Sequence, residues 1–189
     1  MRIISGQFKS RHLPAAPPEG TRPTSDKLRE TLFNILGQTV QGSTFLDGCA
    51  GVGAIGIEAI SRGAEMVVFV DQSRQATGMI RKNLESLKIQ GGYRVLEMDL
   101  ARALKVCAGE GILFDVEFVD PPYEREHIYK DALDHPLLSP DGVLILEHSK
   151  RVVMAEESGI LRRVRTLQQG DSALAFYKAE TTSELPAES

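Results

Sequence analysis

The sequence predicts an α/β protein built on a mostly parallel, doubly wound sheet. Three observations carry that expectation. Apolar runs at 45–46, 66–70, 93–98, 114–119 and 143–146 alternate with stretches of helical spacing, the pattern of repeated strand–helix units. Four of the runs end in an acid, Asp47, Asp71, Asp99 and Asp120. In such sheets ligands bind beyond the carboxyl ends of the strands, where the strand order reverses. Finally, the first strand leads into a glycine-rich stretch, Asp47-Gly48-Cys49-Ala50-Gly51-Val52-Gly53-Ala54-Ile55-Gly56, which lets a ligand approach the backbone closely.

The elements follow in order. Residues 1–13 alternate around Gly6 and are expected to form a small β-hairpin; Pro14 to Pro23 is a loop. Thr24 is the expected N-cap of a helix carrying Leu28, Leu32, Ile35 and Leu36 and ending at Gly37, with Lys27, Arg29 and Glu30 on its polar face. A second helix runs from the glycine stretch to Arg62, and a third covers 73–89 through Ala76, Ile80, Leu84 and Leu87. A short helix follows Asp99 to about Ala108, and helical spacing returns near 125–134. The last sheet-bound strand, Val143 to Leu146, ends in Glu147-His148. Segments 160–168 and 172–178 alternate and form a C-terminal hairpin across Gly170-Asp171. The expected division is an N-terminal hairpin-and-helix appendage (1–42), a main domain (43–179) and a polar, disordered tail (180–189).

A chain of 189 residues is about one domain, and 42% hydrophobic with 25% charged content is ordinary for a soluble globular protein. No apolar run approaches the ~20 residues that cross a bilayer, and the first residues lack the apolar core of a signal peptide. The two cysteines, Cys49 and Cys107, form no CxxC, so no zinc site or disulfide framework is expected and a reducing cytoplasm fits. The net charge of −4 argues against a uniformly basic nucleic-acid binder. Residues 1–30, however, hold six Lys/Arg against three Asp/Glu, a local balance of +3. A basic patch on an acidic body still holds phosphates, because the interaction is short-ranged in salt.

Gly51-x-Gly53-x-x-Gly56 with Asp71 twenty residues on matches a dinucleotide-binding fingerprint, so a nicotinamide or flavin enzyme is a genuine rival. Asp47 opposes it, since a carboxylate beside a pyrophosphate repels it. S-adenosylmethionine suits the acids better: Asp47 and its loop for the amino-acid end, Asp71 for the ribose hydroxyls, Asp99 for the adenine amine. The expected cofactor site is Asp47, Gly48, Ala50, Gly51, Gly53, Asp71, Gln72, Asp99 and Leu100, with no metal.

Asp120-Pro121-Pro122-Tyr123 follows a strand. Proline has no N–H and a fixed φ, so pairing stops and the backbone stays extended. A carboxylate, a backbone carbonyl and a flat ring are then presented together, a set that fits a planar base with an exocyclic amine.

With these motifs the chain resembles the RsmD family, whose members methylate the exocyclic N2 of a guanine in small-subunit ribosomal RNA. The matching residues are Arg22-Pro-Thr24, Arg29-Glu30-Thr-Leu-Phe33-Asn34-Ile-Leu36, Phe45-Leu-Asp47, Ala50-Gly51-x-Gly53-Ala54-x-Gly56-x-Glu58-Ala59, Ser61-Arg62-Gly63-Ala64, Asp120-Pro-Pro-Tyr123 and Glu147-His148, spread over residues 1–178. The resemblance implies a Rossmann-like class I methyltransferase fold, S-adenosylmethionine as cofactor, and Asp120, Pro121, Pro122 and Tyr123 as the catalytic set. It also implies 16S rRNA as partner, in a free state or within an assembling subunit, and a cytoplasmic monomer. Arg2, Lys9, Arg11, Arg22 and Lys27 are the expected RNA contacts, although Arg22 serves equally to bind the cofactor carboxylate or pin its loop. The chain departs from the family pattern at Cys49, usually a bulky aromatic, at Val52, usually Ser or Thr, and at Glu117, usually apolar. A buried Glu117 needs a partner or partial exposure. His148 and Cys49 are expected to be structural. A DNA adenine-N6 methyltransferase is the alternative, disfavoured because 189 residues leave no room for a DNA-specificity domain.

Overall fold

The computed structural model describes residues 1–15, 25–122 and 125–180. Its elements are α1 (Asp26–Leu36), a 3₁₀ turn (Gly37–Val40), β1 (Thr44–Gly48), α2 (Ala54–Ser61), β2 (Met66–Asp71), α3 (Arg74–Ser86), β3 (Tyr93–Glu97), α4 (Leu100–Gly109), β4 (Phe114–Val119), α5 (His127–Asp134), β5 (Leu138–Ser149), β6 (Glu157–Ser158), β7 (Leu161–Gln169) and β8 (Ser172–Ala179). They build one eight-stranded sheet in the order β3-β2-β1-β4-β5-β8-β7-β6. The first five strands are parallel, and β8 joins antiparallel as one arm of the β7–β8 hairpin.

Alternate residues of each strand feed two cores, because successive side chains point to opposite faces. Phe45, Val67, Phe69, Phe118 and Ile145 meet α1, α2 and α3 on one face. Leu46, Val68, Val70, Val119 and Leu144 meet α4 and α5 on the other. Both faces are covered, so the central strands read as apolar runs. Each fully buried Leu or Phe adds roughly 1.5–3 kcal/mol.

The order reverses between β1 and β4, which lie side by side with Asp47 opposite Phe118 and Gly48 opposite Val119. Parallel pairing puts the carboxyl ends of both strands on the same edge, so Asp120 emerges beside the start of the glycine stretch. The switch point is thus where the two motifs meet.

Several details differ from the sequence expectation. Residues 1–13 form a turn closed by one antiparallel bridge, Arg2 to His12, in place of a regular hairpin. The segment spends its backbone groups on α2. Ile4 and Ser5 N–H donate to the Glu58 carboxylate at 2.8 and 3.0 Å, and Ser61 Oγ accepts from Phe8 N–H and donates to Ser5 O. Gly6 sits so close that a Cβ there would meet Ser61 O at 1.8 Å, and its φ is +81°. Ile3 and Leu13 join the same core as α1. Ser25 caps α1, its Oγ accepting from Leu28 N–H at 3.1 Å; Thr24 lies outside the described residues. Arg29 is not on a polar face. It is 1% exposed and donates to Arg2 O at 2.6 Å and Asp26 Oδ1 at 3.0 Å, with its stem in the apolar face of α1.

β3 stops at Glu97, and Asp99 caps α4 by accepting from Arg102 N–H at 2.9 Å. An acid at a helix N-terminus is held by its free N–H groups, and the apolar pattern alone does not distinguish that from a strand end. β5 begins at Leu138, five residues before its apolar run, because Leu138 pairs with Phe114 through a register shift in β4. β6 is two residues long and too short to read from sequence.

Candidate functional site

The glycine stretch is a tight loop between β1 and α2. Cys49, Gly51 and Gly53 take φ of +63°, +57° and +77°. This left-handed region costs glycine little, whereas Cys49 must be held there by its surroundings. Ala50 N–H donates to Val70 O and Gly53 N–H to Ala50 O. Asp71, at the end of β2, accepts from Gly51 N–H at 2.9 Å through one oxygen and from Ser73 N–H at 2.8 Å through the other. Asp47, 2% exposed, accepts from Gly56 N–H at 2.8 Å. Burial pushes the Asp47 carboxyl up to about 8, against the opposing pull of that hydrogen bond, and Asp71 adds to the rise.

This arrangement bears on the two ligands that the glycine spacing allows. A pyrophosphate needs loop and helix N–H groups free to donate to it. Here the Gly51, Gly53 and Gly56 N–H groups all donate inward, two of them to carboxylates, and Asp47 already holds the N-terminus of α2. The loop edge is rimmed by the half-buried Asp71 and the buried Asp47, a setting that suits a ligand with a cationic amino group. Above Gly51 there is room for it: a Cβ there would meet nothing within 4 Å, while one on Gly53 would come within 3.2 Å of Ile80.

The sequence-read residues converge on this edge unevenly. Burial and the carboxylates of Asp71, Asp120 and Asp47 together push the Cys49 thiol up, opposed by Arg125, so three of the four acids act on one point. Gly48 is buried, Ala50 and Asp71 half-buried, and Gln72 exposed. Asp99 is exposed and Leu100 buried at the start of α4. Asp120 is half-buried and its N–H donates to Gly48 O at 3.2 Å, which locks the end of β4 to the start of the loop. Pro121 is buried and Pro122 exposed, and Pro122 O accepts from Arg125 N–H at 2.9 Å. Tyr123 and Arg22 lie outside the described residues. Arg2, Lys9, Arg11 and Lys27 are all exposed. Arg11 also donates to Ser86 O at 3.1 Å and stacks over the Phe8 ring at 5.9 Å.

Glu117 is 0% exposed. Its partner is a backbone group, Leu137 N–H, at 2.7 Å, and Oε2 has none among the described residues. Burial raises its carboxyl to about 7. His148 is buried, with Nδ1 2.9 Å from Ser149 O and Nε2 without a partner among the described residues; burial lowers its pKa. Glu58 and Asn83 were missed as organisers of the site's surroundings. Asn83 had a signal, a polar residue at a core-facing position of an apolar helical pattern.

The fold, with a glycine loop and acids at its switch point, and the relatives that the chain matches make it an S-adenosylmethionine-dependent rRNA methyltransferase. The family described as Conserved hypothetical protein 95, the RsmD family, matches residues 1–178, and the chain belongs to it. Ribosomal RNA small subunit methyltransferase D of Escherichia coli (strain K12) is 40% identical over 196 residues, covering 100% of this chain and 94% of that protein. The protein of the same name from Haemophilus influenzae is 33% identical, covering 88% of each. Among solved structures, the Escherichia coli protein yhhF, described as a candidate methyltransferase, superposes with a TM-score of 0.81 at 33% identity, covering 95% of this chain and 98% of that one. A hypothetical protein from Thermus thermophilus gives the same TM-score at 27% identity, covering 93% and 98%.

Proposed function

We propose that the protein methylates the exocyclic N2 of a guanine in small-subunit (16S) ribosomal RNA. The observation that carries the reading is the switch point itself. Asp120 leaves β4 hydrogen-bonded to Gly48, the residue that opens the loop suited to the cofactor. Any base amine that Asp120 accepts therefore lies next to that loop.

S-adenosylmethionine, when bound, supplies an electrophilic methyl group on a sulfonium. Asp47 and the loop would hold its amino-acid end, Asp71 and Gln72 its ribose, and Asp99 with Leu100 its adenine. At the substrate, the Asp120 carboxylate and the Pro121 carbonyl each accept one hydrogen of the guanine amine. This draws the nitrogen lone pair out of conjugation and aims it at the methyl. Accepting the methyl, with the electron pair of the broken bond left on the donor, would give the amine nitrogen a positive charge and a proton to lose. Asp120 stabilises the transient positive charge and is placed to take that proton. Tyr123 stacks on the base. Orientation and aligned dipoles supply most of the gain, and the guanine must leave any helical stack to enter.

The proposed RNA-binding part is the N-terminal region 1–42, through Arg2, Lys9, Arg11, Arg22 and Lys27, on a methyltransferase domain of 43–179. Among the described residues no helix is long and apolar enough to cross a membrane, and we take the protein to act as a monomer in the cytoplasm, on free RNA or an assembling subunit. The deciding experiment is single-turnover methyl transfer to 16S rRNA at saturating cofactor, with mass mapping of the modified nucleotide. Asp120→Ala is expected to be nearly inactive with unchanged cofactor affinity, and Asp120→Asn, which keeps an acceptor but not the charge, to lose roughly 10²-fold. Full activity of Asp120→Ala would show that the residue only terminates the strand.

A further inference from the structure

We propose that Asn83, on α3, is a positioning residue of the cofactor loop, fixing the Val52 carbonyl and tying it to the N-terminal segment. The proposal rests on the reading of the glycine loop as the cofactor site.

Asn83 stands where the sequence pattern calls for an apolar side chain. The core-facing residues of α3 are Ala76, Thr77, Ile80, Asn83 and Leu84, and Asn83 is 0% exposed. Asparagine is a poor mid-helix residue, and its amide is costly to bury unless every polar atom is bonded. Both side-chain atoms are bonded here, to backbone groups from two distant parts of the chain. Oδ1 accepts from Ala15 N–H at 2.9 Å, and Nδ2 donates to Val52 O at 2.9 Å. A donor on one side and an acceptor on the other fix the amide in a single orientation.

Val52 lies between Gly51 and Gly53, two of the loop's three left-handed residues. Glycine has no intrinsic preference that would select this path, so external bonds must select it. Asp71 grips the Gly51 N–H, Asp47 the Gly56 N–H at the head of α2, and Asn83 the Val52 carbonyl between them. The two acids lie at the cofactor edge, whereas Asn83 acts from the buried side. If Ala15 moved away, Oδ1 would lose its donor and the amide its fixed orientation. The placement of Val52 O therefore depends on Ala15, at the far side of the N-terminal segment, being docked against α3. Val52 stands where the family usually carries Ser or Thr, so this chain lacks a hydroxyl at that position. Asn83 leaves the loop with a side-chain anchor that does not involve residue 52's own side chain.

The test is calorimetric titration of S-adenosylmethionine into the unaltered protein and the variants Asn83→Asp, Asn83→Ala and Thr77→Val, with the melting temperature of each measured in parallel. Thr77 is a matched control on the same helix, fully buried and donating to Glu97 Oε2 at 2.8 Å. Both Asn83 variants are expected to bind roughly tenfold more weakly, the consequence of leaving one buried carbonyl unpaired. Thr77→Val is expected to stay within about twofold even if it melts as early. Asn83→Asp adds a readout that general destabilisation would not move. It keeps the acceptor for Ala15, and only its protonated form regains a donor for Val52 O. Its deficit relative to the unaltered protein at the same pH should therefore shrink as pH falls from about 8 to about 6. If Asn83→Ala does not fold, Asn83→Asp decides, together with faster hydrogen exchange at the Gly53 amide.

Asp71→Ala, titrated alongside, separates the two ways of failing. Weakened binding in Asp71→Ala with normal binding in the Asn83 variants overturns the role of Asn83 alone. Normal binding in all of them overturns the reading of the loop as the cofactor site and the proposal with it. Losses in Asn83→Asp that merely match Thr77→Val at equal melting temperature would make Asn83 an ordinary core residue.

Discussion

Replacing Asp47 by Asn should make the protein more stable at pH 7.5 and a poorer binder of its cofactor. Asp47 is almost fully buried, and its carboxyl is pushed from the ordinary 3.8 up to about 8. The folded-state value lies above the unfolded one, so the stability this group contributes is fully present below about 4 and is lost as pH rises through about 8. Between those limits the folded protein holds a proton that the unfolded chain has released. The unaltered protein then loses about 1.4 kcal/mol of stability per pH unit from this group, and on the order of 5 kcal/mol across the window, an upper figure because water entry and local relaxation soften it.

Asn keeps an oxygen for the Gly56 N–H and cannot ionise. Any cost of its extra N–H groups is the same at every pH, so it shifts the curve without tilting it. The stability of Asp47→Asn minus that of the unaltered protein should therefore climb by roughly 3 kcal/mol between pH 5.5 and 7.5 and level off above about 8. Urea unfolding at four or five pH values measures this, and the other titrating groups cancel in the difference. Cofactor affinity should move the other way. A cationic amino group beside Asp47 favours its ionised form, so binding near pH 7 should release close to one proton, seen by calorimetry in buffers of differing ionisation enthalpy. Asp47→Asn should bind more weakly at pH 8 and release no such proton. A stability difference that stays constant from pH 5.5 to 7.5 would refute the reasoning, since Asp47 would then be ionised throughout.

Three further outcomes are expected. Glu117 has the same sign of linkage, its stability contribution present below about 4.3 and lost as pH rises through about 7; Glu117→Gln keeps the acceptor for Leu137 N–H and should gain about 1–3 kcal/mol above pH 7 in chemical unfolding, and equal stability there would mean that the site is wetter than its burial implies. Neutralising Lys9 and Arg11 together should raise the KM for RNA and reduce its salt slope by up to about 2 while leaving cofactor affinity unchanged; an unaltered slope would show both charges to be merely solvated. Gly6→Ala should destabilise by more than about 1 kcal/mol, because its Cβ would strike Ser61 O and its φ is positive, and a melting temperature unchanged within error would count against the docking of the N-terminal segment on α2.

The sequence by itself determined the parallel part of the sheet. Apolar period and length located every parallel strand, because these strands are buried on both faces and leave continuous apolar runs. The acids at the ends of β1, β2 and β4 fall on one edge of that sheet, beside the glycine loop, and a carboxylate at the end of a buried strand is uncommon without a partner or ligand. The glycine spacing marked the loop between β1 and α2. That spacing alone fitted a dinucleotide as well as it fitted S-adenosylmethionine. Only the tertiary structure shows where the loop N–H groups of Gly51 and Gly56 go, to Asp71 and Asp47, because those bonds join residues 9 and 20 positions apart and leave no mark in the spacing.

Tertiary structure also decided the positions where local pattern misleads. Arg29 reads as a surface cation on the polar face of α1, yet it is buried, its guanidinium donating to Asp26 one turn back on the same helix and to Arg2 O from the N-terminal segment, which the helix period does not show. Asp99 reads as a fourth strand-end acid and is a helix cap, since both roles place an acid after an apolar run. Residues 1–13 alternate like a hairpin and do pair at their ends, Ile3 N–H with Arg11 O and Leu13 N–H with Met1 O, but Ile4, Ser5 and Phe8 between them turn to Glu58 and Ser61 of α2 instead of extending the ladder. Asn83 and Glu58 gain their meaning from backbone groups about 30 to 70 residues away. Such contacts have no period and no local propensity, so they are fixed only once the chain has folded.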